Sequence, residues 1–182
     1  MIRVLKPSAF VTSPWKNGGG ITHEIARSGD KSGLIWRLSI AEVASDGPFS
    51  RFEGLSRILT VIEGEGLILH SPEQPIAARL LEPVAFSGDL PIDSRMIKGP
   101  IRDFNVIYDA SRVAAAVLIL RAGAGAHSSK PGTETAVLAH TGETLVGDQS
   151  LAAGSVALLT ATSPGFDVHT RSTAIVVTFT PR

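Results

Sequence analysis

The sequence predicts an all-β protein, and three observations carry that reading. Short apolar stretches recur along the chain with no sustained period of 3.6 residues, so nothing is patterned as a long amphipathic helix. Clusters of Gly, Pro, Asp and Ser separate those stretches, as turns separate short strands. The stretches number about a dozen in 182 residues, the density of a sandwich or barrel with antiparallel pairing.

In chain order, strands are expected at 21–26 and 34–43, after a glycine run at 18–20. The second alternates cleanly: Trp36, Leu38 and Ile40 form an apolar face, and Arg37, Ser39 and Ala41 the other. The strand at 56–63 puts Arg57 on one face with Leu59 and Val61. Shorter strands follow at 66–69, 78–81, 84–86 and 104–108. The run 110–120 is ambiguous, its alanines favouring helix and its valines and isoleucine favouring strand; it is read as a strand at 114–121. Strands at 135–139, 143–146, 155–160 and 173–180 complete the set. Gly123-Ala124-Gly125-Ala126 and Ser128-Ser129 read as a flexible loop, and Ser163-Pro164-Gly165 as a turn.

A weak internal repeat divides the chain. In the first half a strand, Gly64-Glu65-Gly66, another strand and Phe86-Ser87-Gly88-Asp89 follow one another. The second half echoes this with a strand, Thr141-Gly142-Glu143, another strand and Ala152-Ala153-Gly154-Ser155-Val156. Two related β units are expected, 1–110 and 111–182.

Composition excludes several function classes. With 43% hydrophobic and 19% charged residues the chain can bury a sizeable core. Seventeen basic residues balance seventeen acidic ones, so no global field draws it to nucleic acid or an anionic membrane. The absence of cysteine removes disulfides, thiolate zinc sites and a cysteine nucleophile, and fits a reducing compartment. Residues 1–11 lack the apolar run and small-residue cleavage site of a signal peptide, and no stretch approaches a membrane span. A soluble cytoplasmic protein is expected.

The region around Arg57 carries the sharpest inference. Small β-barrels of the cupin superfamily hold a metal with a His-x-His-x4-Glu pattern followed six residues later by a turn glycine. Ser50-Arg51-Phe52, four residues, Arg57, six residues and Gly64 resemble that frame, with Ser50 and Phe52 at the histidine positions and Arg57 at the glutamate. A metal needs lone pairs, and arginine offers only donors and a fixed positive charge. The chain thus resembles a cupin that has lost its metal. A guanidinium on an inward-facing strand calls for a negative partner, and a bound carboxylate meeting it in a two-hydrogen-bond fork would be one. Alternatively, Arg57 and Arg37 are surface residues protecting an edge strand.

Asn17-Gly18-Gly19-Gly20 admits two readings. Successive amides with glycine freedom can form an anion-binding nest, to which Lys16 and Asn17 would add a charge and an amide. The segment also reads as a plain turn, and no helix pattern or P-loop lysine follows it.

Further motifs are Pro14-Trp15-Lys16-Asn17-Gly18-Gly19-Gly20-Ile21-Thr22-His23-Glu24-Ile25-Ala26, then Trp36-Arg37-Leu38-Ser39-Ile40-Ala41, Gly47-Pro48-Phe49-Ser50, Gly54, Arg57, Gly99-Pro100 and Asp103-Phe104-Asn105-Val106. In order and content this series resembles the HutD/Ves family over roughly residues 3–109, and the remainder fits a degenerate second cupin unit. The resemblance implies a bicupin fold, two small β-barrel or jelly-roll units packed together, with the ligand pocket in 1–110. It further implies a homodimer without metal or cofactor, associated with bacterial histidine utilisation and lacking an established catalytic activity. Such a protein would bind a small acidic metabolite such as N-formylglutamate or urocanate and moderate pathway flux. The resemblance places Lys16, Asn17, Thr22, Arg37, Ser39, Arg57 and Asn105 at or near the pocket. Two arginines, or one with Lys16, would suit the two carboxylates of N-formylglutamate, and Asn17 or Asn105 its formamide; urocanate carries one carboxylate and an imidazole.

Other candidates are weaker. The histidines at 23, 70, 127, 140 and 169 show no metal-ligand spacing, although His23 lies in the first motif. No Gly-x-Ser-x-Gly elbow is present. Glu24, Asp46 and Asp103 are conceivable bases, but a carboxylate beside an arginine is expected to be an ionised partner with a lowered pKa, Asp103 foremost. The rival function is a metal-free cupin isomerase or hydrolase using Lys16, His23 or a carboxylate for acid–base work on a ligand clamped by Arg57. An exposed apolar strand at 174–179 would serve a dimer axis.

Overall fold

The computed structural model describes residues 2–163 and 167–182, so of the turn expected at 163–165 Pro164 and Gly165 lie outside the described residues. Among the described residues no helix is long and apolar enough to cross a membrane.

The chain forms two compact units, Phe10–Ala110 and a second made of Met1–Ala9 with Ser111–Arg182. Its strands are β1 (Ile2–Leu5), β2 (Val11–Pro14), β3 (Gly20–Asp30), β4 (Gly33–Val43), β5 (Gly47–Pro48), β6 (Ser56–Glu63), β7 (Leu67–His70), β8 (Ile76–Ala78), β9 (Val84–Ser87), β10 (Asp93–Met96) and β11 (Ile101–Tyr108). They continue with β12 (Val113–Arg121), β13 (His127–Ser128), β14 (Glu134–Thr141), β15 (Thr144–Val146), β16 (Gln149–Leu151), β17 (Val156–Leu159), β18 (Asp167–Thr170) and β19 (Thr173–Pro181). The ambiguous 110–120 run is strand: its β-branched residues pair with β19 along nine positions, outweighing the helix preference of its alanines.

The first unit is a two-sheet jelly roll of the cupin kind, with sheet orders β2-β3-β4-β11-β6-β9 and β5-β10-β7-β8. Its core sits between the sheets. Alternation sends Leu59 and Val61 of β6 and Leu67 and Leu69 of β7 inward, where all four are fully buried among Phe49, Phe86 and Ile92. Each such leucine contributes roughly 1.5–3 kcal/mol of burial free energy. Trp36, Leu38 and Ile40 are buried on the opposite face of the larger sheet.

The second unit orders its sheets β1-β17-β14-β19-β12 and β13-β18-β15-β16. The run β4-β11-β6-β9 recurs as β12-β19-β14-β17, and β5-β10-β7-β8 as β13-β18-β15-β16. One eight-strand pattern is therefore used twice, and the echoed Gly64 and Gly142 turns end the equivalent strands β6 and β14. Even the irregularity recurs, because the register slips after Val61 in β6 and after Ala139 in β14.

Three expectations need correction. The first residues do not join the unit that follows them in sequence: β1 pairs with β17, Ile2 opposite Leu159 through Leu5 opposite Val156, which covers what would be an open edge. The strand at 174–179 offers no dimer edge, since β19 lies between β14 and β12 and its apolar residues are buried. Within the expected loop at 123–129, His127 and Ser128 form the short strand β13 against β18.

Candidate functional site

The central strands of the first unit bring the site together by register. Arg37, Ile107 and Arg57 lie side by side across β4, β11 and β6; Ser39, Asn105 and Leu59 form the next row, and Ala41, Asp103 and Val61 the next. Residues in register project to the same face, so polar groups separated by up to 68 positions in sequence meet there. Thr22 joins from β3, opposite Ala41. With Trp15, Phe49, Ser50 and Phe52 these residues, Leu59 and Val61 excepted, line a cavity of about 50 Å³. Its floor of Ser39, Arg57, Asp103 and Asn105 is buried, whereas Ser50, Phe52, Arg37, Trp15 and Thr22 at its rim are exposed or half-buried.

Arg57 is caged by aromatic rings. Its guanidinium carbon lies 5.4 Å from the ring centre of Phe49, 5.2 Å from that of Phe52 and 5.1 Å from that of Phe86. Phe86 faces it directly across the β6–β9 pair, and Trp15 stacks edge-on against Phe49 at 6.2 Å. Nη2 donates to Asn105 Oδ1 at 2.8 Å and Nη1 to the Ser50 carbonyl at 3.3 Å. Nε is buried and has no partner among the described residues. Burial lowers the Arg57 pKa to about 10, against the raising effect of the Asp103 charge and with Arg37 adding to the fall. Desolvating such a cation costs several kcal/mol. Cation–π contacts return about 0.5–2 kcal/mol each, which offsets much of that cost without neutralising the charge.

Asn105 relays this cation to a carboxyl. Its Nδ2 donates to Asp103 Oδ1 in a short hydrogen bond, while Asp103 Oδ2 is buried without a partner among the described residues. Asp103 was expected as an ionised partner with a lowered pKa, and here the structure differs. Burial is complete and pushes its pKa up to about 7, outweighing the opposing effects of Arg57 and the Asn105 hydrogen bond. The carboxylate that does pair with an arginine is Glu24, whose Oε2 accepts from Arg37 Nε at 2.5 Å. A bulge in β3 after Glu24 sets this pairing, because Glu24 lies opposite Ser39 and beside Arg37. Arg37 is thus largely compensated, and Arg57 carries the cavity's uncompensated charge.

Of the seven residues expected at the pocket, Thr22, Arg37, Ser39, Arg57 and Asn105 line the cavity, and Lys16 and Asn17 do not. Lys16 is exposed. The Asn17 side chain accepts from the Gly19 amide at 3.0 Å, and the Gly18 amide donates to the Trp15 carbonyl at 3.0 Å, so these amides are used within a turn and leave no anion nest. Gly20 is required by close packing: a Cβ there would lie 2.4 Å from the Glu42 carbonyl oxygen and 3.1 Å from the Trp15 ring. The turn therefore seats Trp15, whose indole N–H donates to Thr22 Oγ1 at 2.8 Å. His23 lies away from the cavity, bonded to Thr12 at 2.9 Å and Glu42 at 3.1 Å.

The cupin metal frame is filled by residues that do not fit a metal. Its three positions converge as Ser50, Phe52 and Arg57, a carbonyl acceptor and a ring both turned toward a guanidinium. Among the described residues no group of three or more His, Asp or Glu side chains is arranged to hold one. What sequence reasoning missed is the aromatic cage. Phe49 and Phe52 flank Ser50 in the quoted motif, but their rings gain meaning only when β9 brings Phe86 beside Arg57.

The second unit does not repeat this chemistry. By equivalent register Thr135 stands for Arg57, Ala174 for Asp103, Val176 for Asn105, Leu118 for Ser39 and Ala116 for Arg37. Its equivalent face is largely apolar core.

The loop that carries Phe52 is fastened to the chain after β9. Phe52 N–H donates to the Gly88 carbonyl at 2.9 Å, Gly88 N–H to the Leu55 carbonyl at 2.7 Å, and Gly54 N–H to Asp89 Oδ1 at 2.9 Å. A Cβ on Gly88 would lie 2.5 Å from the Phe52 oxygen and 2.7 Å from that of Leu55. Gly88→Ala is expected to push this loop outward, cost about 1–3 kcal/mol of stability and open the cage, read as a lowered Tm and altered Phe ring signals in NMR spectra. An unchanged Tm with unaltered ring signals would contradict the packing role.

Comparisons with known proteins converge. The model of the HutD family matches residues 7–177. An uncharacterised 21.2 kDa protein in the hutC 3′ region of Pseudomonas putida is 41% identical over 117 residues, 63% of this chain and 62% of that protein. Protein Ves of Escherichia fergusonii is 34% identical over 108 residues, 58% of this chain and 56% of its own length. The chain thus aligns with less than two thirds of either relative. The structure of HutD from Pseudomonas fluorescens SBW25 superposes over 100% of both chains with a TM-score of 0.89 and 34% identity. The chain belongs to the HutD family.

Proposed function

We propose that this protein binds a small acidic metabolite in the first-unit cavity, without a metal, and regulates bacterial histidine utilisation. The observation that carries this reading is Arg57: a guanidinium buried in an aromatic cage at a cavity wall, with no partner for its Nε and no carboxylate in direct contact among the described residues. A ligand carboxylate would supply both the acceptor and the charge. One uncompensated cation suits one inserted carboxylate, whether from N-formylglutamate or from urocanate, rather than two. The association with histidine utilisation rests on family membership and on the description of the P. putida relative by the hutC 3′ region.

A second reading has one observation behind it. Asp103, a cavity residue held near neutral pKa, is equipped for acid–base work, so a metal-free enzyme is the alternative. Calorimetric titration with N-formylglutamate, urocanate, glutamate and histidine, with each ligand recovered and weighed by mass spectrometry, separates the two. Saturable binding of one acid recovered unchanged is expected; conversion of the ligand would replace the binding reading with the enzymatic one.

A further inference from the structure

We propose that Asp103 is a specificity-determining residue that presents its Oδ2 as a hydroxyl donor to a bound carboxylate, so that the cavity takes up an anion together with a proton. The inference rests on the reading that the cavity binds a carboxylate, and adds how the cavity recognises it.

A guanidinium has donors only, so the Asn105 oxygen must face Arg57, as it does at 2.8 Å. The Asn105 amino group is then fixed toward Asp103, and Asp103 Oδ1 is committed as its acceptor. Any proton on Asp103 therefore belongs on Oδ2. That atom is buried, has no partner and sits on a residue lining the cavity. An ionised oxygen left unpartnered in such a place costs several kcal/mol, and a second anion arriving beside it costs more. A neutral carboxyl in apolar surroundings instead donates to an anion. Burial, which raises the Asp103 pKa to about 7, agrees with this state.

The charged groups around Asp103 are few. Arg57 of β6 acts on it, and Arg37 of β4, held by Glu24 of β3, lines the same cavity; the remaining lining residues, Trp15, Thr22, Ser39, Ala41, Phe49, Ser50, Phe52, Asn105 and Ile107, do not ionise at neutral pH. A guanidinium keeps its charge throughout the neutral range. Asp103 is thus the lining group left to titrate there.

The test uses formate, a carboxylate with no other titrating group, and follows its affinity by NMR titration from pH 5.5 to 8.5 for the wild type and Asp103→Asn. Wild-type affinity is expected to be level in the acid range and to fall about tenfold per pH unit above 7, as one linked proton requires. The Asp103→Asn profile is expected to be flat. Calorimetry of the wild type at pH 8 in buffers of different ionisation enthalpy, which needs no variant, is expected to report uptake of about one proton per formate. Formate binding with no proton uptake, or with affinity rising with pH, would overturn the Asp103 assignment and leave the carboxylate site standing. No formate binding by the wild type at any pH would overturn both.

Discussion

Arg57→Ala is expected to abolish measurable binding of an acidic ligand while leaving a folded protein. Removing one partner of a buried, hydrogen-bonded charge pair costs about 2–5 kcal/mol, which is roughly 30- to 5,000-fold in affinity. The fold is expected to survive because Arg57 lies at the cavity wall, and the core behind it, built on Leu59, Val61, Leu67 and Leu69, does not depend on its charge. Loss of the guanidinium also relieves the folded state of its desolvation cost, which offsets the lost cation–π contacts and the hydrogen bond left open at Asn105. Isothermal titration of the variant beside the wild type, with circular dichroism as a check on folding, reads both quantities. Affinity within a factor of two of the wild type would return Arg57 to a structural role.

The second large effect concerns stability without any ligand. Asp103 ionises near pH 3.8 as an ordinary carboxyl and only near pH 7 in the folded protein. Between those values the folded state holds a proton that the unfolded chain has released, so ν_N exceeds ν_U and stability falls as pH rises. Its contribution is fully present below about pH 4 and is lost through about pH 7. Asparagine at this position does not titrate. The Tm of Asp103→Asn minus that of the wild type is therefore expected to increase by about 5 °C or more between pH 4.5 and pH 8.5, the change that about 2 kcal/mol produces in a chain of this size. A difference that stays constant with pH would show that Asp103 ionises freely in the folded state.

The fold was legible in the sequence wherever strands are apolar. The 56–63 strand coincides with β6, and alternation in 34–43 assigned both faces of β4. Seven strands were not anticipated: β1, β2, β5, β10, β13, β16 and β18 are two to four residues long, and most lack an apolar run. Segments such as Asp93-Ser94-Arg95-Met96 exist because a neighbour pairs with them, a tertiary cause that local pattern does not record. The departure of β1 to the second unit has the same origin.

The site was legible in part for a related reason. Period-two alternation put Arg57 and Arg37 on inward faces, and the short motif around Asp103 and Asn105 drew attention to both. The pairing of Arg37 with Glu24 depends on a bulge, and the fate of the glycine amides depends on a hairpin closing on itself; neither is visible as spacing. Asp103 shows how burial can reverse an inference from charge alone. An expected place beside Arg57 or Arg37 suggested a lowered pKa, whereas complete removal from water outweighs an arginine reached only through Asn105.

Arg57 is proposed to receive a ligand carboxylate inside the aromatic cage. A crystal structure of the protein grown with N-formylglutamate tests it most directly. The account predicts a carboxylate within hydrogen-bond reach of Arg57 Nε, ringed by Phe49, Phe52 and Phe86, with Asp103 Oδ2 against one of its oxygens. A ligand seated away from this cavity, for instance against the exposed His70 and Arg95 where a separate cleft opens, with Arg57 still unpartnered, would contradict it.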